Sequence, residues 1–354
     1  MVRAVWIVVL LSSAPLLATS PLLSASASEK AKYKPAPIVE LPISVINNRI
    51  QFELITGETP LTLLLDTGAT SSIYFQSNKL KAIAPETEGE ATIAFPAIDR
   101  SVIGKRIKSL ALRAEGFEFV SRGGLLIGGD AFVAAQLEAE YDVILGQEFF
   151  NAYTVEIDPA AKLLRLYEPG TNLRPYYKTS HKLHMEGHTP HIRFFSHMPW
   201  EPRPTSKAML LDTGYPGSMV LWSNKHYRQA LRNGQTIRKH EDSAGIVSHI
   251  KLKFGDLDFE NIPVFIAKSV PNQSLKRDGL IGASLLAQYR HVIDFAQAQL
   301  HMSPILGSGG NPLQIIDGLI YTPNNENFDL KTFYPKISVY PTLVIFANGK
   351  MKSK

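Results

Sequence analysis

The sequence predicts a mainly β protein built from two homologous halves. Three observations support this prediction. The tripeptide Asp-Thr-Gly occurs twice, at residues 66–68 and 212–214, each time after an apolar run. Each copy is followed, further along the chain, by an Asp and then a short apolar segment that ends in Gly. The 24 Gly and 23 Pro residues separate short apolar or alternating segments, which is typical of strands joined by turns.

The duplication extends over most of the chain. The segments that end in Gly146 and Gly282 resemble each other, and the copies stay in register without a gap after these two glycines. The later matches are Tyr153 with Tyr289, Ile157 with Ile293, and Leu164 with Leu300. Upstream, residues 49–52 resemble residues 191–194. We therefore predict homologous halves at 38–170 and 178–305, joined by a linker rich in Pro, Gly and polar residues.

Residues 1–27 have the pattern of a secretory signal peptide. Arg3 precedes the apolar residues 5–18, and small residues at 25–27 form a cleavage pattern. The apolar run is shorter than the roughly 20 residues that span a bilayer, so we expect no stable membrane span after cleavage. The mature protein is expected to be exported, either periplasmic or secreted. The absence of Cys excludes disulfides and thiol chemistry, and an exported chain without disulfides is more typical of bacteria.

The individual elements follow from periodicity and turn residues. We predict strands at 50–54, 61–65, 163–167 and 264–266, and a hairpin around Gly255 and Asp256. Helices are predicted at 130–138, 146–152, 225–233 and 282–288. Residues 306–354 lie outside the duplication, and we expect a pairing strand or a loose C-terminal extension there.

The two aspartates indicate acid–base chemistry if the halves bring them together. Two carboxyl groups within hydrogen-bond distance do not both ionise readily, so the pair holds one proton over a broad pH interval. The ionised partner can take a proton from water, while the protonated partner can donate one to a carbonyl oxygen. Such a site needs no metal and no cofactor. Asp66 and Asp212 are therefore the candidate catalytic residues.

The residues after each Asp suit this role. Gly68 and Gly214 allow a sharp turn and expose N–H groups to the carboxylates. Thr67 and Thr213 place a hydroxyl beside each turn, where it can join one loop to the other.

These motifs resemble the two lobes of the pepsin/retropepsin clan of aspartic proteases. The resemblance rests on residues 66–71 with 143–146, and on residues 212–214 with 279–282. It implies the acid protease fold, with two β-rich lobes and a cleft between them. It also implies that Asp66 and Asp212 form the dyad of an aspartic endopeptidase whose partner is a peptide or protein substrate. Since both lobes lie in one chain, we expect a monomer.

The second copy departs from the family pattern, because bulky Tyr215 and then Pro216 follow Gly214. We expect Tyr215 to line the cleft, and either to narrow it or to accompany a different arrangement of Asp212. The alternative function is therefore a catalytically inactive module of this fold that binds peptide or protein. The hairpin that closes over the substrate in this clan is expected at 91–108. There, Phe95 is either an apolar lid over the cleft or part of the lobe core.

Other features of the sequence resemble functional sites. Five histidines crowd into one segment, where metal binding, a pH-responsive surface and ordinary polar positions are the alternatives (His181, His184, His188, His191 and His197). Gly187 and Pro190 argue against a helix there, so no metal site is predicted. Residues 122–129 are rich in Gly but lack the Lys of a phosphate loop. The net charge of +5 comes from scattered Lys and Arg, which does not indicate nucleic-acid binding.

Overall fold

The computed structural model describes twelve segments of the chain. They are residues 33–46, 48–95, 100–128, 141–186, 188–198, 200–222, 224–232, 245–254, 257–267, 277–305, 314–316 and 319–321. The predicted signal peptide, the predicted helix at 130–138 and most of the C-terminal extension lie outside them.

The described residues form many short strands and few helices. The strands of the first half and of its junction with the second are β1 (Val39–Pro42), β2 (Ser44–Ile46), β3 (Arg49–Thr56), β4 (Thr59–Leu65), β5 (Ile73–Phe75), β6 (Thr87–Phe95), β7 (Arg100–Ile107), β8 (Leu110–Ala114), β9 (Phe117–Ser121), β10 (Leu125–Ile127), β11 (Val143–Leu145), β12 (Thr154–Asp158) and β13 (Leu163–Tyr167). The later strands are β14 (Thr179–Glu186), β15 (Thr189–His197), β16 (Thr205–Asp212), β17 (Met219–Trp222), β18 (Gly245–Phe254), β19 (Leu257–Ala267), β20 (Gly279–Gly282), β21 (Tyr289–Asp294), β22 (Gln299–Pro304), β23 (Gln314–Ile316) and β24 (Leu319–Tyr321). The helices are α1 (Asn78–Ile83), α2 (Gln147–Ala152), α3 (Asn224–Arg232) and α4 (Ala283–Leu286), with a 3-10 turn at Arg174–Tyr176.

The same strand arrangement occurs in both halves. In the first, β11 runs parallel to β4, which leads to Asp66, and antiparallel to β5, and β10 lies parallel to β5. In the second, β20 runs parallel to β16, which ends at Asp212, and antiparallel to β17, and β19 lies parallel to β17. The predicted fold class is confirmed: the protein is mainly β, with two homologous β-rich lobes.

The strands that follow these motifs join the two halves. Strands β12 and β21 pair antiparallel, with Val155 opposite Ile293, and their flanks are β13 and β22. A twelve-stranded sheet results, in the order β1-β13-β12-β21-β22-β14-β15-β16-β20-β17-β19-β18. The first lobe keeps a separate ten-stranded sheet, in which β6-β7-β10-β5-β11-β4-β3-β8-β9 are neighbours and β2 pairs with β3.

A buried carboxylate ties the linker to this junction. Glu156 of β12 accepts hydrogen bonds from the hydroxyls of Tyr167 and Tyr177, at 2.6 and 2.7 Å. Tyr177 lies in the linker that the sequence predicted. The segment that joins the halves is therefore fixed to the sheet where they meet.

Alternate side chains of each Asp-bearing strand pack in two different apolar clusters, on opposite faces of the sheet. Leu63 and Leu65 belong to the main core, whereas Leu64 belongs to a smaller group that we call the first satellite cluster (Leu64, Ile73, Phe75, Ile127, Tyr141 and Ile144). In the other lobe, Leu210 belongs to the second satellite cluster (Leu210, Val220 and Leu280, with partly buried Tyr215, Trp222 and Phe265). The two satellite clusters border the Asp loops, because Ala69 packs against the first and Tyr215 belongs to the second.

Most of the predicted elements are present. The four predicted strands lie within β3, β4, β13 and β19, and the predicted hairpin is β18 and β19. The predicted helices at 146–152, 225–233 and 282–288 correspond to α2, α3 and α4, of which α4 is shorter than predicted. The glycine-rich stretch 122–129 contains β10, which lies between β7 and β5.

Gly282 is required by close approach and not by backbone torsion. A Cβ at this position would lie 2.1 Å from the carbonyl oxygen of Gly217 and 2.7 Å from that of Tyr215. Gly282→Ala is therefore expected to lower the free energy of unfolding by about 3 kcal/mol, because the second Asp loop must shift.

The comparison is made by denaturant titration of both variants and the natural protein. Gly128→Ala is the matched control, because its Cβ would meet only the end of the Gln76 side chain, at 3.4 Å. Equal destabilisation by the two substitutions would contradict the close packing described for Gly282.

Candidate active site

Both aspartates stand where a buried strand enters a turn, and both are held by the backbone in the same way. Oδ1 of Asp66 accepts the N–H groups of Gly68 and Ala69, at 2.7 and 3.2 Å. Oδ1 of Asp212 accepts the N–H groups of Gly214 and Tyr215, at 3.1 and 3.0 Å. These bonds fix the orientation of each carboxyl group and leave its second oxygen for other partners.

The two threonines form reciprocal hydrogen bonds between the loops. The hydroxyl of Thr67 donates to the carbonyl oxygen of Leu211 at 2.6 Å and accepts the N–H of Thr213 at 3.1 Å. The hydroxyl of Thr213 donates to the carbonyl oxygen of Leu65 at 2.9 Å and accepts the N–H of Thr67 at 3.0 Å. Both threonines are buried. These four bonds, which we call the threonine bridge, hold the strands that carry the aspartates side by side.

The absence of a side chain on each loop glycine lets the carboxyl groups approach. A Cβ on Gly68 would lie 2.9 Å from Cγ of Asp212, and a Cβ on Gly214 would lie 2.4 Å from Cγ of Asp66. Each glycine therefore faces the aspartate of the opposite loop. Any other residue at either position would push the two carboxyl groups apart.

The two carboxyl groups share a hydrogen bond, and their pKa values are both raised. Burial is the main cause for each. The pKa of Asp212 lies well above its ordinary value of 3.8, because the negative charge of Asp66 raises it further. The hydrogen bond from Asp212 and the N–H groups of its own loop counteract the rise of the Asp66 pKa. The shared proton is therefore held mainly by Asp212, and Asp66 is the ionised partner.

The expectation that the second loop arranges Asp212 differently is not met. Tyr215 has the same backbone role as Ala69. Its N–H donates to the aspartate, and its carbonyl oxygen accepts the N–H of Ala283, the first residue of α4, at 2.8 Å. In the first lobe, Gln147 donates to Ala69 at 3.1 Å. The carboxylate is held by backbone N–H groups, so the size of the side chain after the Gly does not change how it is held.

The ring of Tyr215 packs against the second satellite cluster and over two glycines. A Cβ on Gly217 would lie 2.6 Å from the ring, and a Cβ on Gly282 would lie 2.5 Å from it. These two glycines provide the room that the bulky residue needs. Tyr215 is partly exposed beside the Asp212 loop, and its role as a cleft residue remains a prediction.

An antiparallel hairpin lies where the sequence predicted the closing hairpin. Strands β6 and β7 pair from Thr87 with Ile107 to Phe95 with Arg100. Val102 packs against the first satellite cluster, which borders the Asp66 loop. The backbone of Phe95 ends β6, but its side chain and residues 96–99 lie outside the described part, so the lid role of Phe95 remains a prediction.

The histidine-rich segment forms the antiparallel pair β14 and β15, which leads into β16. His184 and His191 are cross-strand partners, and His191 is buried. No group of three or more His, Asp or Glu side chains that could hold a metal ion occurs among the described residues. In the described part of the chain, no helix has the length and apolar character needed to cross a membrane.

Two residues that support the loops were missed by sequence reasoning. Asn48 of the first lobe donates from Nδ2 to the carbonyl oxygen of Pro216, at 3.1 Å, and so links the second Asp loop to the opposite lobe. Ser72 is fully buried, and its hydroxyl accepts the N–H of Gly146 at 3.1 Å. The self-alignment contains a weak signal for Ser72, since Ser218 occupies the same distance from the second Asp. Asn48 has no counterpart that would have revealed it.

Comparison with known proteins finds similarity to solved structures but not to known sequences. No protein-family profile matches the chain, and no curated protein sequence matches it. Among solved structures, the chain is similar to basic 7S globulin from soybean, with 11% sequence identity and a TM-score of 0.49. The match covers 75% of this chain and 94% of that one.

The threonine bridge gives the first prediction for the site. Thr67→Val removes a hydroxyl but keeps the shape of the side chain, and so leaves the carbonyl oxygen of Leu211 and the N–H of Thr213 buried without a partner. The free energy of unfolding is expected to fall by about 2–4 kcal/mol, as measured by denaturant titration. Thr67→Ser keeps the hydroxyl and is expected to retain most of that stability. A loss of similar size in both variants would contradict the assignment to hydrogen bonding.

The raised pKa values give a second prediction. A carboxyl group whose pKa is raised by folding contributes stability that is complete below the ordinary value of 3.8 and is lost as the pH rises through the raised pKa. Asp212→Asn removes this loss, since the amide stays neutral. Its melting temperature is therefore expected to exceed that of the natural protein near neutral pH, by a stability gain of about 1 kcal/mol, and to approach it below 3.8.

Thermal melts of the two proteins across the acidic and neutral range measure this difference. A difference that stays constant with pH would indicate a packing effect and would contradict the raised pKa of Asp212.

Proposed function

We propose that the protein is an aspartic endopeptidase that hydrolyses peptide bonds with a water molecule activated by Asp66 and Asp212. The supporting observation is the hydrogen-bonded carboxyl pair, in which each group is held by two backbone N–H groups and both are joined by the threonine bridge. We further propose that the protein acts as an exported enzyme on peptide or protein substrates, in keeping with residues 1–27.

In this proposal the two carboxyl groups have different roles. Ionised Asp66 takes a proton from the water, and the water oxygen attacks the carbonyl carbon of the peptide bond. Protonated Asp212 donates its proton to the carbonyl oxygen, which gives a tetrahedral diol. When the carbon–nitrogen bond breaks, Asp66 gives its proton to the leaving amine. One hydroxyl of the diol gives its proton to ionised Asp212 and becomes the carbonyl of the carboxylic acid product, which restores the starting state of the pair.

The arrangement suits this reaction because it is preorganised. The N–H groups of Gly68 and Gly214 and those of the next residues hold the dyad before substrate arrives, so little reorganisation is needed during the reaction. The satellite clusters beside the two loops are apolar, which favours apolar substrate side chains next to the cleaved bond.

A catalytically inactive module that binds peptide or protein is the second candidate. The observation that favours it is the Tyr215-Pro216 sequence, which places a large ring beside the second Asp loop. The backbone hydrogen bonds of Asp212 orient its carboxyl group as those of Asp66 do, so a loss of activity through misorientation of Asp212 is not expected. The remaining way in which Tyr215 could prevent catalysis is steric, by excluding a substrate from the dyad.

Isosteric substitution of each aspartate separates the two candidates. The natural protein, Asp66→Asn and Asp212→Asn are incubated with a mixed peptide library from acidic to neutral pH, and the products are identified by mass spectrometry. Either substitution is expected to lower kcat/KM by about 10²–10⁴-fold, because the general base or the general acid is lost. A statine-type inhibitor, which mimics the tetrahedral diol, is expected to block the natural protein.

The matched control is Asp158→Asn, which changes a carboxylate that caps a turn through the N–H of Ala161. This variant is expected to keep full activity. If the natural protein cleaves no peptide at any pH, and it and both Asn variants bind peptides with equal affinity, the inactive binding module is the correct function. Activity that survives both Asn substitutions would exclude the dyad.

A further inference from the structure

Arg277, an arginine beside the second satellite cluster, has a buried N–H group without an acceptor in the described part of the chain. The guanidinium of Arg277 lies over the ring of Trp222, with 5.0 Å between its Cζ and the ring centroid. Its Nε is buried and has no hydrogen-bond partner among the described residues. An arginine stays charged in proteins, and a buried donor without a partner costs about 1–3 kcal/mol. A ligand that supplied an acceptor would remove this cost.

Trp222 places this arginine at the border of the proposed cleft. Its ring belongs to the second satellite cluster, together with Tyr215 of the Asp212 loop. Arg277 and Tyr215 therefore border the same apolar cluster.

Three ionisable groups act on Arg277 electrostatically. Burial lowers the pKa of Arg277, and the negative charges of Asp212 and Glu186 counteract part of this effect. Burial, and then the positive charge of Arg277, lower the pKa of His191, so His191 adds no positive charge near pH 7. Within the described segments, the Nε–H of Arg277 still lacks an acceptor, which a carboxylate can supply.

Arg277 lies two residues before β20, which limits its distance from the cleaved bond. Asp212 is the register partner of Gly282, and Arg277 precedes Gly282 by five residues. At a rise of about 3.3 Å per extended residue, the Cα atoms of Arg277 and Gly282 lie at most about 17 Å apart. An extended peptide covers that distance in about five residues.

The first lobe also has an arginine stacked on a ring at this place, with a different arrangement. Tyr141 occupies the position of Arg277, since Asp142 follows it as Asp278 follows Arg277. Arg49 lies over the Tyr141 ring, with 5.7 Å between its Cζ and the ring centroid, and its Nη1 donates to the Tyr141 hydroxyl at 3.5 Å. A stacked cation is thus common to both halves, but only in the second half does the residue before the Asp supply it.

We propose that Arg277 is a specificity-determining residue that binds a carboxylate of the substrate peptide, within about five residues of the cleaved bond. The proposal rests on the proposed peptidase function for the identity of the ligand. The planar guanidinium, stacked on Trp222, suits bidentate binding of a carboxylate. The carboxylate belongs to an acidic side chain or to the C-terminus of a short peptide, and both supply the same chemistry.

The test compares matched peptides above the ordinary pKa of Glu, about 4.3. A positional series places Glu or its neutral isostere Gln at each of five positions on both sides of the cleaved bond. Each peptide is made with a free or an amidated C-terminus. The natural protein is expected to cleave the best Glu peptide with a kcat/KM about tenfold above that of its Gln partner, chiefly through a lower KM. If Glu and Gln peptides are cleaved equally well but a free C-terminus raises kcat/KM above that of the amidated peptide, the C-terminal carboxylate is the ligand.

Three variants separate charge recognition from packing. Arg277→Met keeps apolar contact with Trp222 and is expected to reduce the Glu/Gln ratio of kcat/KM to about one. Arg277→Lys keeps the charge but loses the planar fork, so it is expected to retain only part of the preference. Arg113→Met removes one positive charge from a surface ion pair with Glu118, and it is expected to keep the full ratio.

Binding to the Asp66→Asn protein separates this proposal from the proposed function. The affinities of the same Glu and Gln peptides are measured by fluorescence anisotropy, with and without Arg277→Met in that background. Cleavage without a carboxylate preference would overturn the role of Arg277 and leave the peptidase function intact. A preference that depends on Arg277 in binding, without cleavage by the natural protein, would support Arg277 and overturn the peptidase function. If no peptide is bound or cleaved, both proposals are wrong.

Discussion

The four hydrogen bonds between Thr67 and Thr213 are the contact on which the site depends. Each hydroxyl donates to the strand that carries the opposite aspartate and accepts an N–H from the opposite loop. In a buried environment these groups have no water to replace a lost partner, so the loops must stay in register. The distance and orientation of the two carboxyl groups follow from this register. Their shared proton, and the chemistry proposed for it, depend on it in turn.

The duplicated fold is nearly symmetric, and the sequence breaks that symmetry in chemically useful ways. Backbone groups hold both aspartates alike, because strand pairing and glycine turns are common to the two lobes. Side chains differ: Tyr215 replaces Ala69, and Arg277 replaces Tyr141. The second satellite cluster is therefore bordered by Tyr215 and by Arg277 stacked on Trp222. A symmetric frame positions two equivalent carboxyl groups, and the residues around each of them differ.

Strand alternation explains how one segment serves both stability and the site. Leu63 and Leu65 fill the main core, while Leu64 between them points to the other side of the sheet and packs beside the Asp66 loop. Met209, Leu211 and Leu210 repeat this division in the second lobe. The core therefore fixes the strand rigidly at the residue that precedes each aspartate. An apolar surface is left beside each loop, and no separate element is needed to build it.

The sequence by itself determined the duplication, the mainly β class and the identity of the paired aspartates, because these depend on local patterns: apolar strands, glycine turns and an internal repeat. It also located the joining linker and most helices. It could not determine how Asp212 is held. The size of Tyr215 suggested a different arrangement, but backbone N–H groups hold the carboxylate, and they do not depend on the size of the side chain. The tertiary structure was needed to show that Asn48 reaches Pro216, that two glycines make room for the Tyr215 ring, and that Arg277 stacks on Trp222. Those contacts join residues far apart in the chain, where side-chain identity alone gives no distance.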